Sequence, residues 1–339
     1  MAKEKVRTIK DLYSLYGFKE EENTFMGSGS VILDAVISNG QGIPRKKFIQ
    51  ISSDSGLGKS TIVLHCAKVA CAEGKRVIYL DIEKGVSQAQ LEGMGLSQYA
   101  GERFFLFPIS TYEQAEQIID MVLADGEDTA YIIIDSITAL IPQISLEGSV
   151  EERTQIGLKA RCVGAFLEKY KAKLEGSESQ ASFIIINQMR DKINLRTGSK
   201  RDIAGGNAQK YYMDIRLLLN KHSDLEKEID SVEGKQKVIH GANINIYADK
   251  NRFYKPFVTG VITVIYGKGV SNISAYQRVL NSRGVLAMSG NGYYTLSLPD
   301  REEIKVRGQE EIHRTLSEHL DEVKEYIQNT GGIKILLED

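Results

Sequence analysis

The stretch Ser53-Asp54-Ser55-Gly56-Leu57-Gly58-Lys59-Ser60-Thr61 constrains this chain more than any other. The apolar run Phe48-Ile49-Gln50-Ile51 precedes it, and an apolar-periodic segment from Ile62 through Cys71 follows. Strand, glycine-bearing loop and helix start, in that order, form the context of a phosphate-binding P-loop. Loop amides and the positive helix end would converge on a polyphosphate such as that of ATP, with Lys59 reaching the terminal phosphates and Ser60 ligating Mg²⁺. One position departs from the motif. Ser53 stands where the first Gly belongs, so a tighter turn or weaker nucleotide binding is expected there.

The surrounding pattern alternates strands with helices. Val77–Asp81 and Phe104–Phe107 read as strands, and 111–125 as a helix with Ala115, Ile118, Ile119 and Val122 on its apolar face. Tyr131–Asp135 is almost wholly apolar and ends in acid, as a central parallel strand covered on both faces should be. A long helix is expected over 153–174 and another buried strand over Phe183–Asn187. This succession predicts an α/β fold, doubly wound, with ligands at the carboxyl ends of the strands. After Arg190 the periodicity breaks, and 191–207 reads as a polar, glycine-bearing loop too long for an ordinary connection. Strand-like runs return at Tyr211–Leu219, Ala242–Ala248 and Val258–Tyr266, with a charged hairpin or excursion over Lys221–Lys237. The remainder reads as a small α+β unit with strand-like Tyr293–Leu298 and one closing helix over Gln309–Gln328. Residues 1–20 read as a short amphipathic helix carrying Ile9, Leu12, Leu15 and Tyr16, either packed on its own domain or docked on a neighbouring subunit.

Composition narrows the class. At 339 residues, 42% hydrophobic and 26% charged, the chain can bury a large core plus a smaller one. Its net charge of −2 excludes a globally basic protein, so a nucleic-acid surface would have to be local. Cys66, Cys71 and Cys162 show no metal spacing, which fits reduced thiols in a cytosolic compartment. The charged N-terminus lacks the apolar stretch of a secretion signal, and no apolar run approaches the ~20 residues of a membrane span. A soluble, cytoplasmic protein without a membrane partner is expected.

Hydrolysis at a P-loop needs a metal acid, a water activator and a charge clamp besides the cradle. Asp135 caps an Ile-Ile-Ile strand, where a Walker B carboxylate would orient Mg²⁺ through water. Glu83, two residues beyond Asp81, can polarise the attacking water. Gln188 follows Ile184-Ile185-Ile186-Asn187 and can sense the γ-phosphate. Alone, Asp135 is any strand-ending acid and Glu83 any surface Glu opening a helix; together with the P-loop they form a site.

Further stretches carry a resemblance. Ile186-Asn187-Gln188-Met189-Arg190-Asp191-Lys192-Ile193 and Ala204-Gly205-Gly206-Asn207-Ala208-Gln209-Lys210-Tyr211-Tyr212 strongly resemble the RecA family of recombinases. So do Lys250-Asn251-Arg252 before Pro256-Phe257, and Ile265-Tyr266-Gly267-Lys268-Gly269-Val270. The likeness covers roughly 26–328. It implies a P-loop RecA-like ATPase core at 26–269, an N-terminal oligomerisation arm at 1–25 and a C-terminal domain at 270–339. It also implies an ATP-bound helical filament on single-stranded DNA that pairs it with homologous duplex DNA; single-strand-binding and loader proteins are further partners the resemblance admits.

Residue by residue, the resemblance assigns Gln188–Gly206 to a second DNA-binding loop, with Arg190, Lys192, Ile193, Arg196, Lys200, Arg201, Gly205 and Gly206 as its DNA-contacting members. Its cations outnumber Asp191 and Asp202, as salt-sensitive phosphate binding requires. The first DNA loop would be Leu146–Gly157, with Ile156 as an apolar wedge and Arg161 and Lys169 on the helix behind it; Glu168 stands where bacterial relatives are basic. Lys250 and Arg252 match residues that reach the γ-phosphate of a neighbouring subunit, with Lys210 and Tyr211 at the same interface. Departures accompany the match. Gln90 falls where many relatives place an aromatic under the adenine, and no long acidic tail closes the chain. These suggest a divergent, phage-encoded member. A hexameric helicase on a similar core and a low-turnover DNA-coating scaffold are the competing readings.

Overall fold

The computed structural model describes residues 8–10, 23–147, 158–194, 198–203, 208–231 and 234–331. The expected arm at 1–25, apart from 8–10 and 23–25, and the expected loop positions Ile156, Arg196, Gly205 and Gly206 lie outside them. β1 (Phe25–Met26), α1 (Val31–Ser38) and β2 (Ile43–Pro44) open the described chain. The P-loop unit follows as β3 (Phe48–Ser53) and α2 (Lys59–Ala72). Next come β4 (Arg76–Asp81), α3 (Gln88–Met94), β5 (Phe104–Phe107), α4 (Tyr112–Ala124) and β6 (Thr129–Asp135). α5 (Ile144–Glu147), α6 (Leu158–Gly176), β7 (Ser182–Asn194), β8 (Gly198–Ile203) and α7 (Ala208–Tyr212) lead to the long strands β9 (Ile215–Ser231) and β10 (Gly234–Asn251). β11 (Thr259–Ile265) and β12 (Gly269–Ser271) end the large sheet. α8 (Ile273–Ser282), β13 (Leu286–Ser289), β14 (Tyr293–Leu296), β15 (Ile304–Arg307), α9 (Gln309–Glu318) and α10 (Leu320–Asn329) follow, the three strands forming a small antiparallel sheet.

The large sheet runs β12-β11-β10-β9-β3-β7-β6-β4-β5, with β8 attached to the outer part of β7. From β9 through β5 the pairs are parallel; β10, β11 and β12 add on antiparallel. Strict alternation along the central strands explains why they read as unbroken apolar runs. Val77, Tyr79, Tyr131, Ile133, Ile184 and Ile186 pack under α1 and α2. Ile78, Leu80, Ile132, Ile134, Phe183 and Ile185 pack under α4 and α6. Both faces are dry, so no polar phase survives in the sequence. The helices start where local chemistry starts them: Ser30 caps α1, and Thr111 with Gln114 forms a capping box on α4.

The α/β expectation therefore holds, including the mostly parallel sheet and the small antiparallel sheet near the C-terminus. Three local expectations change. The 191–207 loop is in part a hairpin, because β7 runs on to Asn194 and pairs antiparallel with β8. Its register sets Arg190 opposite Asp202 and Asp191 opposite Arg201, opposite charge types at paired positions, and such pairing needs no apolar period. The run Tyr211–Leu219 begins as the end of α7, not as strand. The closing helix is two helices, broken at His319, and both α9 and α10 pack on α8 around a core containing Leu280, Leu286, Ile312, Leu316 and Val323. The charged excursion after Lys221 is the β9–β10 hairpin, closed at Ser231 opposite Gly234.

Candidate functional site

The carboxyl ends of β3, β4 and β6, with the middle of β7, bring the expected polar groups together. The register aligns Ser53 with Gln188 and Asp81 with Asp135 across neighbouring strands. A cleft of about 290 Å³ lies over them, lined by Gly56, Lys59, Ser60, Glu83, Asp135 and Gln188 among others. A cleft of about 350 Å³ between the 298–301 segment and α10 has no glycine loop, so the phosphate chemistry belongs to the first.

The P-loop turns on two left-handed glycines, Gly56 at φ 76° and Gly58 at φ 75°. Gly58 begins α2, and a Cβ there would come within 3.3 Å of the Ile244 side chain. The positive φ favours glycine at both positions, and at Gly58 the close Ile244 side chain adds mild crowding. Ser53 makes no such demand. It ends β3 without positive φ, its Oγ donates to the Asp54 carbonyl at 2.7 Å, and it accepts from Lys59 Nζ at 3.0 Å. Ser53 therefore sits without backbone strain where the motif has Gly. Lys59 also donates to the Asp54 carbonyl at 2.8 Å; burial draws its pKa below the ordinary lysine value, opposed by Asp135, Glu83 and Asp54. A polyphosphate would restore the favourable charge environment that burial removes.

Asp135 is 7% exposed. Its Oδ2 accepts from Ser60 Oγ at 2.8 Å and from Tyr79 Oη at 2.6 Å. Burial raises its pKa against these two donors, and Glu83 and Asp81 add to the rise. Because Ser60 spends its proton on Asp135, its lone pairs stay available to a hard cation. Among the described residues no cluster of three His, Cys, Asp or Glu side chains gathers, so an all-protein cage is lacking. A hydroxyl, one neighbouring carboxylate and phosphate oxygens fit Mg²⁺, which keeps much of its water.

Glu83 is held from two sides. Ser136 Oγ donates to its Oε1 at 2.6 Å, and Gln188 Nε2 donates to Oε1 at 3.1 Å and Oε2 at 3.2 Å. The segment carrying it is folded by Asp81, whose carboxylate accepts from the amides of Gly85 and Val86, both at 3.1 Å. Gln188 is anchored through its own amide, which donates to Asn187 Oδ1 at 2.8 Å. Asn187 Nδ2 in turn donates to Gln209 Oε1 at 2.8 Å, and Gln50 donates to that same oxygen. Arg216 Nε donates to Gln50 Oε1 at 3.3 Å, and Arg216 pairs with Asp249 at 2.7 Å. This buried polar chain runs from Gln188 to β10. Tyr266 shares the cleft with Gln90, and is the ring available to a nucleoside base.

Sequence reading missed Ser136, Tyr79, Tyr266 and the Gln50–Asn187–Gln209 chain. A glutamine inside Phe48-Ile49-Gln50-Ile51 and a tyrosine inside Val77-Ile78-Tyr79-Leu80 were the available signals: polar atoms in dry strands need partners.

Lys250 and Arg252 do not line the cleft. They sit on the α6 and α7 side of the sheet, whereas α2 packs on the other face. Lys250 Nζ donates to the Lys210 carbonyl at 2.8 Å, and Arg252 pairs with Asp214 at 3.1 Å while 54% exposed. Burial lowers the Lys250 pKa, and repulsion from Arg252 adds to it. Asp214 is itself fixed, accepting from the Phe48 amide at 3.0 Å and pairing with Lys171 at 2.6 Å. Tyr211, 75% exposed, stands beside these cations.

Of the expected DNA residues, Arg161 is exposed at the start of α6, near the carboxyl edge. Lys169 lies about 12 Å further along that helix and pairs with Glu116 at 2.7 Å. Arg190, Lys192 and Ile193 lie on β7, and Lys200 and Arg201 on β8, both strands continuing past Gln188. No described helix is long and apolar enough to cross a membrane.

Comparison with known proteins agrees with this geometry. The family model for the RecA N-terminal domain matches residues 8–271. The chain is 28% identical over 309 residues to Protein RecA of Lactobacillus johnsonii, covering 90% of this chain and 80% of that one. It is 28% identical to Protein RecA of Aquifex aeolicus, covering 90% and 84%, and 29% identical over 315 residues to that of Mycobacteroides abscessus, covering 92% and 85%. A P-loop with its acid and glutamine at the ends of a shared sheet, together with a match spanning most of the chain, makes this protein a divergent member of the RecA family.

Proposed function

We propose that the protein is an ATP-dependent homologous recombinase that assembles on single-stranded DNA as a helical filament and hydrolyses ATP between adjacent subunits. One observation carries the reading. The cleft gathers Lys59, Ser60, Glu83, Asp135 and Gln188, while Lys250 and Arg252 lie outside its lining, against α7 and Asp214. Cations so placed serve a neighbour's nucleotide and not their own.

In this reading Ser55–Thr61 cradles the phosphates, and Lys59 turns from the Ser53 and Asp54 oxygens towards the terminal phosphates. Ser60 and Asp135 would hold Mg²⁺, which would neutralise phosphate charge. Glu83 accepts a proton from the attacking water, oriented by Ser136. Gln188 exchanges its bond to Glu83 for the γ-phosphate, and because the same strand continues into the β7–β8 hairpin, nucleotide state is passed to DNA-facing residues. The neighbour's Lys250 and Arg252 complete the charge clamp, with Lys210 and Tyr211 at that contact. Arg161, Lys192, Arg196, Lys200 and Arg201 contact DNA phosphates, and Ile156 and Ile193 separate bases. In this reading 1–25 is the oligomerisation arm, 26–269 the ATPase core and 270–339 the C-terminal domain; the cluster around Leu280, Leu286 and Leu316 supports the last.

The test combines ATPase assays with and without single-stranded DNA and electron microscopy with a slowly hydrolysed ATP analogue. DNA-stimulated turnover and open helical filaments are expected. Closed rings that unwind duplex directionally would identify a helicase, and filaments without turnover a scaffold.

A further inference from the structure

Behind the cleft sits a hydroxyl that phosphate binding itself does not require. Tyr79 is fully buried on β4, between Ile78 and Leu80. The register sets Tyr79 beside Ile133 and Asp81 beside Asp135, so Tyr79 lies one same-face step behind the Asp135 carboxylate. Its hydroxyl donates to Asp135 Oδ2 at 2.6 Å, the same oxygen that accepts from Ser60 Oγ at 2.8 Å. Contact with Phe104, ring centroids 6.3 Å apart, helps fix the ring's direction.

A neighbouring strand supplies the contrast. Tyr131 on β6 is equally buried and packs in the same core, yet its hydroxyl has no hydrogen-bond partner among the described residues. At Tyr131 the ring fills volume. At Tyr79 the hydroxyl also restrains a carboxylate.

We propose that Tyr79 is a positioning residue for the divalent cation, clamping Asp135 so that its orientation survives when Ser60 turns to the metal. This rests on reading the cleft as a Mg²⁺–nucleotide site. Ser60 alone is a poor restraint because it is needed as a ligand; Tyr79, fully buried and outside the cleft lining, can hold Oδ2 throughout. Outer-shell donors of this kind orient ligands and sharpen metal affinity.

The test is Tyr79→Phe, with Tyr131→Phe as the matched control. A fluorescent ATP analogue is titrated onto each protein in EDTA and across a Mg²⁺ series. For Tyr79→Phe the Mg²⁺ midpoint of nucleotide binding should rise about tenfold, with metal-free affinity within about twofold of wild type. Tyr131→Phe should change neither. Equal Mg²⁺ midpoints for wild type and Tyr79→Phe would overturn the positioning role, as would an equal rise in Tyr131→Phe. Wild-type protein that binds no nucleotide at any Mg²⁺ concentration would overturn the reading of the cleft itself, a separable failure.

Discussion

The nucleotide cleft and the Lys250 face are built on opposite principles. In the cleft, Lys59 is held by the loop, Ser60 by Asp135 and Glu83 by Ser136 and Gln188, with Lys59 and Asp135 buried. On the Lys250 face, two cations and the exposed Tyr211 lean on a carbonyl and on Asp214, and look outward. The first region is organised by one chain. The second has its anchors in place and faces away from the chain's own cleft, which is the arrangement the proposed role in a neighbouring subunit's site requires. On the proposed function, a charge offered in trans would make turnover conditional on assembly.

Lys59→Ala probes the self-contained half and should have the largest effect. ATP turnover is expected to fall by about a thousandfold, since the cation that stabilises the transferred phosphoryl group is lost. Nucleotide binding should weaken as well. Unchanged turnover would remove the P-loop from the mechanism.

Lys250→Ala addresses the outward face. DNA-stimulated turnover should fall by about a hundredfold while binding of a fluorescent ATP analogue by the isolated chain stays within about twofold. That split is the signature of a group belonging to someone else's site. Weakened binding by the isolated chain would mean Lys250 serves its own cleft.

A smaller effect is expected where DNA is met. Lys192→Ala combined with Arg196→Ala should weaken single-stranded DNA affinity and reduce its salt slope by about 1.4. An unchanged slope would place the DNA surface elsewhere.

The two regions also differ in how legible they were. The cleft announced itself because each of its elements has a local signature: glycines after a strand, acid after three isoleucines, glutamine after another apolar run. The parallel sheet was readable for the same reason, as dry strands leave unbroken apolar runs. Lys250 and Arg252 carried no such mark; two cations at a strand end look like solvated charge, and only the resemblance singled them out. Ser53 needs no left-handed backbone, so the missing Gly carries no conformational strain at that position. Tyr79 and Gln209 escaped notice because their partners lie on other strands or helices, and no single stretch holds both ends of such a bond. The β7–β8 hairpin was hidden because pairing of backbone needs no hydrophobic period. The break at His319 escaped because the apolar spacing of 312–327 continues across it.

The central claim is that each hydrolytic site is assembled from two copies of the chain. Mixing Lys59→Ala with Lys250→Ala protein in equal amounts on single-stranded DNA tests it directly. Each variant alone should be nearly inactive. In the mixture, about one quarter of the contacts should pair an intact cleft with an intact Lys250, and turnover should recover in that proportion. A mixture as inactive as its components, under conditions where the two co-assemble, would contradict the account.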